Sequence, residues 1–146
     1  MSKYYTHTEI GYWITSLLAI ALFFLIYLMV SSGFNSILIV VFLVIGVCLK
    51  IFSTLTVSID DETLKISFNS GIIKKEFSLK EIEFFEIVKN RWYYGWGIHL
   101  TPQGWLYNVS GFYSVQIKMK SGKRYLIGTD EPDKLRDAIE KSMKRF

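Results

Sequence analysis

Forty consecutive residues, 10–49, carry no formal charge, and that run limits what everything attached to it can fold into. It reads IGYWITSLLAIALFFLIYLMVSSGFNSILIVVFLVIGVCL, two nearly continuous apolar stretches around the polar cluster Ser31-Ser32-Gly33-Phe34-Asn35. A 146-residue chain built around an aqueous core would not normally leave two such stretches. In hydrocarbon each backbone amide must be paired within its own segment, so both are expected to be helices. Residues 10–30 would extend about 31 Å at ~1.5 Å per residue, matching a hydrocarbon core of ~30 Å. Residues 36–52 are at the short limit of a span, with Lys50 able to reach the headgroups on its flexible stem. The intervening cluster is turn-forming and short, so residues 1–52 are expected to be a membrane anchor, a helical hairpin in a lipid bilayer. A secretory signal is a poorer fit, because the first stretch exceeds an h-region of ~7–15 residues and no A-x-A-like site follows.

Basic residues set the expected orientation. Lys3 precedes the first stretch, Lys50 closes the second, Lys65, Lys74 and Lys75 follow, and the connecting cluster has none. Both termini are therefore expected in the cytoplasm, in a multi-pass protein of the inner membrane. Cys48, the lone cysteine, falls inside the second stretch, so no disulfide framework exists.

Residues 53–146 suffice for one compact domain. They contain fifteen Lys/Arg against twelve Asp/Glu, interspersed, so the net charge of +4 reads as a solvated surface beside an anionic leaflet and not as a nucleic-acid site. Alternation of apolar and polar residues predicts strands over 53–59, 64–68, 72–77, 82–89, 97–101, 105–109, 113–120 and 123–128. The turns between them are Asp60-Asp61-Glu62-Thr63, Asn69-Ser70-Gly71, Pro102-Gln103-Gly104 and Ser121-Gly122. Ser78 is placed to cap a brief helical turn before the fourth of these strands. A helix is expected from about Pro132, with Thr129 or Asp130 as its cap. Leu135, Ala138, Ile139 and Met143 form one apolar stripe, and basic residues lie near the C-terminal end.

That order resembles a pleckstrin-homology (PH)-like domain. The residues carrying the resemblance are YYGWGIHLTPQGWLYNVSG (93–111) and SGKRYLIGTDEPDKLRDAI (121–139). With the two spans in front, the chain is similar to small bacterial membrane proteins that carry PH-like domains of unknown function. The resemblance implies about seven antiparallel strands forming a bent sheet or partly open barrel, closed by one C-terminal helix. It brings no general activity. The phosphoinositide-binding loop of PH domains falls here on Asp60-Asp61-Glu62, whose charge would repel a phosphate, so no headgroup-binding residues are carried over.

Arg91, Trp92, Tyr93, Tyr94 and Trp96, with His99, Trp105 and Tyr107 on neighbouring strands, are the candidate partner surface, because Trp, Tyr and Arg dominate binding hot spots. The same aromatics also suit a small β core or the membrane interface. Gly95 and Gly97 form a lone GxG with no helix after it, which is no nucleotide motif. His7 and His99 have no cysteine or carboxylate at metal-ligand spacing, and no G-x-S-x-G, H-E-x-x-H or Walker pattern occurs. Asn108-Val109-Ser110 fits a glycosylation pattern that a cytoplasmic strand would not use. No catalytic residue, metal or cofactor is expected. A non-enzymatic scaffold engaging a protein partner at the cytoplasmic membrane surface is the expected role. The alternatives are a homo-oligomer or accessory subunit acting through its spans, and a lipid- or small-molecule-binding protein.

Overall fold

The computed structural model describes residues 4–109 and 111–146, and the backbone but not the side chain of Ser70. Lys3 of the orientation argument and Ser110 of the glycosylation pattern lie outside the described residues. The apolar run forms two helices, α1 (Tyr12–Ser32) and α2 (Ser36–Ile51), lying against each other across a three-residue link. Asn35 starts α2 by accepting a hydrogen bond from the Leu38 amide at 2.9 Å. The 21 residues of α1 are long and apolar enough to cross a membrane. The 16 residues of α2 reach only about 24 Å at ~1.5 Å each, so α2 fails the length expected of a second span. Both bounds differ slightly from 10–30 and 36–52, because the hydrogen bond from the Gly11 amide to the Ser53 carbonyl ends the sheet and begins the helices at one point.

Among the described residues nine strands make two sheets. The first runs β1 (Tyr5–Ile10), β2 (Thr54–Ile59), β3 (Thr63–Phe68), β4 (Ile73–Ser78), all antiparallel. The second has the order β5 (Ile82–Lys89), β8 (Tyr113–Met119), β9 (Arg124–Thr129), β7 (Gly104–Asn108), β6 (Gly97–Thr101). Two features differ from the expected seven antiparallel strands. Strand β1 lies in the segment expected to belong with the anchor, and β7 runs parallel to β9, pairing Leu106 with Leu126. The sheets do not close on each other.

The alternation works as expected in the centre of the first sheet. Leu55, Val57 and Ile59 of β2 and Leu64, Ile66 and Phe68 of β3 are all buried, and they meet Val115, Ile117, Tyr125 and Ile127 of the second sheet in one core. Helix α3 (Pro132–Met143) adds Leu135 and Ile139 to that core. Neither Thr129 nor Asp130 caps α3. Glu131 occupies the cap position without a side-chain cap bond, since its carboxylate accepts a hydrogen bond from the Tyr5 hydroxyl at 2.7 Å and pairs with Lys134 at 3.2 Å. The turn at Leu79–Glu81 forms, but Ser78 makes no side-chain cap bond to it.

Strand β1 is fastened at this corner. His7 hydrogen-bonds Asp130 at 2.6 Å and contacts Glu131 at 3.2 Å, carboxylates more than a hundred residues away in sequence. Burial pushes the Tyr5 hydroxyl pKa up, and the Glu131 charge adds to it. Burial also pushes the Glu131 carboxyl up, but the hydrogen bonds from Tyr5 and Lys134 outweigh it and hold the carboxyl below its ordinary range.

Asp60 closes the β2–β3 turn. It accepts from the Thr63 hydroxyl and from the Thr63 amide at 3.3 Å, and it pairs with Lys65 at 2.9 Å. The Thr63 hydrogen bond, then Lys65, hold its carboxyl below the ordinary 3.8. A carboxyl lowered by folding stabilises the fold above its unfolded pKa and loses that contribution as the pH falls through the folded value. Asp60→Asn is expected to cost about 1 kcal/mol at neutral pH. In denaturant titrations that deficit should shrink as the pH falls below 3.8, the range where the native carboxyl also becomes protonated.

Candidate functional site

The segment joining β5 to β6 is fixed at its base by two buried asparagines. Asn90 donates its amide hydrogen to the Phe112 carbonyl at 2.7 Å and its side-chain nitrogen to Gly111 at 3.2 Å, and it accepts from the Ser114 hydroxyl at 2.6 Å. Asn108 clasps the same glycine from both sides, donating to its carbonyl at 2.9 Å and accepting from its amide at 2.8 Å. A buried amide that satisfies several backbone groups at once holds a loop in one shape. Gly128 must lie beneath this clasp, because a β-carbon there would stand 2.3 Å from the Asn108 carbonyl oxygen.

Above that base, Arg91 to Tyr94 make one tight turn, closed by the Tyr94 amide donating to the Arg91 carbonyl at 3.0 Å. Its side chains stack edge to face in sequence. The Trp92 and Tyr93 ring centres are 5.8 Å apart and those of Tyr93 and Tyr94 5.1 Å, while Arg91 donates to the Tyr93 hydroxyl at 2.7 Å. Trp92 is 88% exposed, an apolar ring with little protein over it. Gly95 and Gly97 both adopt positive φ, turning the chain into β6, and His99 donates to the Trp96 carbonyl across that bend.

The turn stands at the root of the helices. Trp13 of α1 joins Arg91, Trp92, Trp96 and Phe112 around a cavity of about 290 Å³ with Asn90 and Asn108 in its wall. Tyr12, Trp13 and Phe112 are themselves exposed, so the loop continues an aromatic collar begun by the first turn of α1. Gly11 makes the close approach possible. A β-carbon there would meet Val109 at 3.0 Å and the Phe52 carbonyl at 3.1 Å.

Of the eight residues singled out in the sequence, Arg91, Trp92, Tyr93, Tyr94 and Trp96 come together, with His99 bound to their backbone. Tyr107 does not join them; it is buried between Phe68 and Tyr125 in the core, which raises its hydroxyl pKa by desolvation. Trp105 lies in a different cleft, beside Leu100 and Tyr125. Trp13, Phe112, Asn90 and Asn108 belong to the site but were not among the candidates. Asn108, 1% exposed, serves to clasp the backbone, a use that its local sequence does not signal. Among the described residues no three His, Cys, Asp or Glu side chains converge as metal ligands. No protein-family model matches the chain, and no curated protein does.

Gly128→Ala is expected to destabilise the domain by about 1–3 kcal/mol, because the Asn108 clasp must shift and strand a buried amide. Thermal unfolding followed by circular dichroism measures this. Faster amide hydrogen exchange at Gly95 and Gly111 than in the parent chain would locate the damage in the loop.

Proposed function

We propose that this chain is a membrane-anchored, PH-like binding module that holds its aromatic loop at the lipid–water boundary, on the cytoplasmic side, to engage a protein partner there. The observation that carries it is the uncovered helix pair ending in the collar. Leu25 is the only buried residue of α1, and α2 has none. Aromatic side chains favour the depth at which hydrocarbon gives way to headgroups, which is where Tyr12, Trp13, Trp92 and Phe112 would sit with α1 upright in a bilayer. The shorter α2 fits the same bilayer through local thinning, with Lys50 reaching upward. Basic residues after α2, against none in the link Gly33-Phe34-Asn35, favour the cytoplasmic face.

The PH-like reading has its support in element order: a four-stranded antiparallel sheet, a second sheet sharing its core, and an amphipathic C-terminal helix packed on that core. The parallel β7–β9 pair departs from an all-antiparallel arrangement. The binding role rests on Trp92, Tyr93 and Arg91, which a pinned base presents outward in a fixed shape. Preorganised aromatic side chains lose little entropy on contact and make effective anchors.

A photoreactive phenylalanine analogue placed at position 92 or 96 tests this in the native membrane. The expected result is a crosslink to one discrete protein species, absent when the probe replaces Val44 in α2. Crosslinks to lipid alone at both loop positions would contradict a protein partner. Trp92→Ala with Trp96→Ala is expected to lower recovery of the crosslinked partner, probed from Tyr94, by about tenfold, equivalent to about 1.4 kcal/mol, without changing the far-ultraviolet circular dichroism.

A further inference from the structure

A second cleft, of about 570 Å³, opens where the two sheets fail to meet, between the edge strand β4 and the inner side of β6, β7 and β9. Its floor is apolar and aromatic, made by Ile98, Trp105, Tyr107 and Tyr125. Its rim carries Lys74, Lys75, Lys123 and Arg124, and no carboxylate lines it. Among the described residues these four make no ion pair with a carboxylate, which they share with Lys50, Lys89, Arg91, Lys120, Lys141 and Arg145; what sets them apart is that they line one cleft together. Lys75 instead stands 5.6 Å from the centre of the Tyr125 ring.

Four cationic side chains lining one cleft that no carboxylate lines favour an anion there. A bare anion would leave the floor wet, so the complementary ligand has an anionic head and an apolar tail. The size suits such a molecule, since ligand clefts run from ~300 to ~1,000 Å³. The course of the cleft gives the source. Ile73 pairs across from Phe68, whose ring meets Phe52 at the end of α2 with centres 5.3 Å apart. Ile98 follows Gly97, where a β-carbon would lie 3.9 Å from the Phe52 ring. The apolar end therefore starts at the foot of α2, and the cleft rises toward Lys123 in the β8–β9 turn and Arg124 at the start of β9.

We propose that this cleft holds one acidic phospholipid drawn from the bilayer around the helices, its phosphate on the basic rim and an acyl chain along Ile98, Trp105 and Tyr107. The lipid as source rests on the membrane placement proposed above; the anionic amphiphile as ligand does not. The site is separate from the aromatic loop, and its cations come from β4, β9 and the β8–β9 turn.

The test uses the full chain in a neutral sugar detergent, so that binding is read without a bilayer. Native mass spectrometry after addition of phosphatidylglycerol or phosphatidylcholine is expected to find one phosphatidylglycerol retained in preference to phosphatidylcholine. The combined variant Lys74→Gln, Lys75→Gln, Lys123→Gln, Arg124→Gln should lose about tenfold or more in retention. The charge-matched control Lys134→Gln, Arg136→Gln, Lys141→Gln, Lys144→Gln should retain the lipid like the parent. Dodecyl phosphate is expected to compete and glycerol phosphate is not. Equal retention by the two variants, or equal retention of phosphatidylcholine, would overturn the proposal. So would competition by glycerol phosphate alone, which would indicate a free-phosphate site, or displacement only by an acidic, aromatic peptide, which would indicate a strand-like protein ligand. Retention in detergent by a chain that does not enter membranes would refute the bilayer source and leave the cleft's ligand chemistry standing.

Discussion

The need to cover α1 and α2 governs the rest of the molecule. Sixteen of their large apolar side chains are exposed, from Tyr12 and Trp13 to Val44 and Val47. Even at about 1 kcal/mol each for leaving such groups in water, the sum rivals or exceeds the entire stability of a typical domain, about 5–15 kcal/mol. The sheets cannot provide the cover. Among the described residues their contacts with the helices include Gly11 against Val109, Phe52 against Phe68, and Asn69 donating to the Lys50 carbonyl, all at the root. The membrane placement proposed above would supply that cover, since lipid suits a helix apolar on all sides.

That narrow root explains why the body is arranged as it is. Because the chain leaves β1 for α1 at Gly11 and returns from α2 to β2 at Ser53, the helix pair interrupts two strands that pair directly with each other. The helices therefore behave as a long insertion between adjacent strands. The sheet's own register fixes where they emerge. A rigid exit point also fixes the depth of the Arg91–Tyr94 turn, whose base is held by Asn90 and Asn108, and it sets the apolar end of the β4–β6 cleft beside the same Phe52. In the proposed placement both surfaces would then lie at set distances from the lipid boundary.

Much of this was legible in the residues. The charge-free run is read from its length, the alternating strands 54–59 and 63–68 and the apolar stripe of α3 each from a single periodicity, and each formed within a residue or two of its expected place. Strand β1 was hidden because its pattern is inverted: Glu9 points inward at 4% exposure while Ile10 points out. No hydropathy rule reads such a segment as a strand, and only pairing with β2 gives it a place. The parallel β7–β9 pair and the carboxylates beside His7 depend on contacts between distant parts of the chain, which local spacing does not encode. At the candidate site the aromatic cluster was visible by composition alone. Its division was not, since Tyr107 and Trp105 share a face of β7 that turns into the core and the open cleft while the 91–96 loop turns to the helices.

Depth-resolved fluorescence quenching tests the lipid cover most directly. A chain keeping Trp13 and Trp92, with Trp96 and Trp105 changed to phenylalanine, would be reconstituted into vesicles whose lipids carry bromine at either shallow or deep acyl positions. Strong quenching of both tryptophans by the shallow bromines, and weak quenching by the deep ones, is the expected outcome. Emission that no brominated lipid quenches, from protein that stays in the supernatant when the vesicles are sedimented, would contradict it.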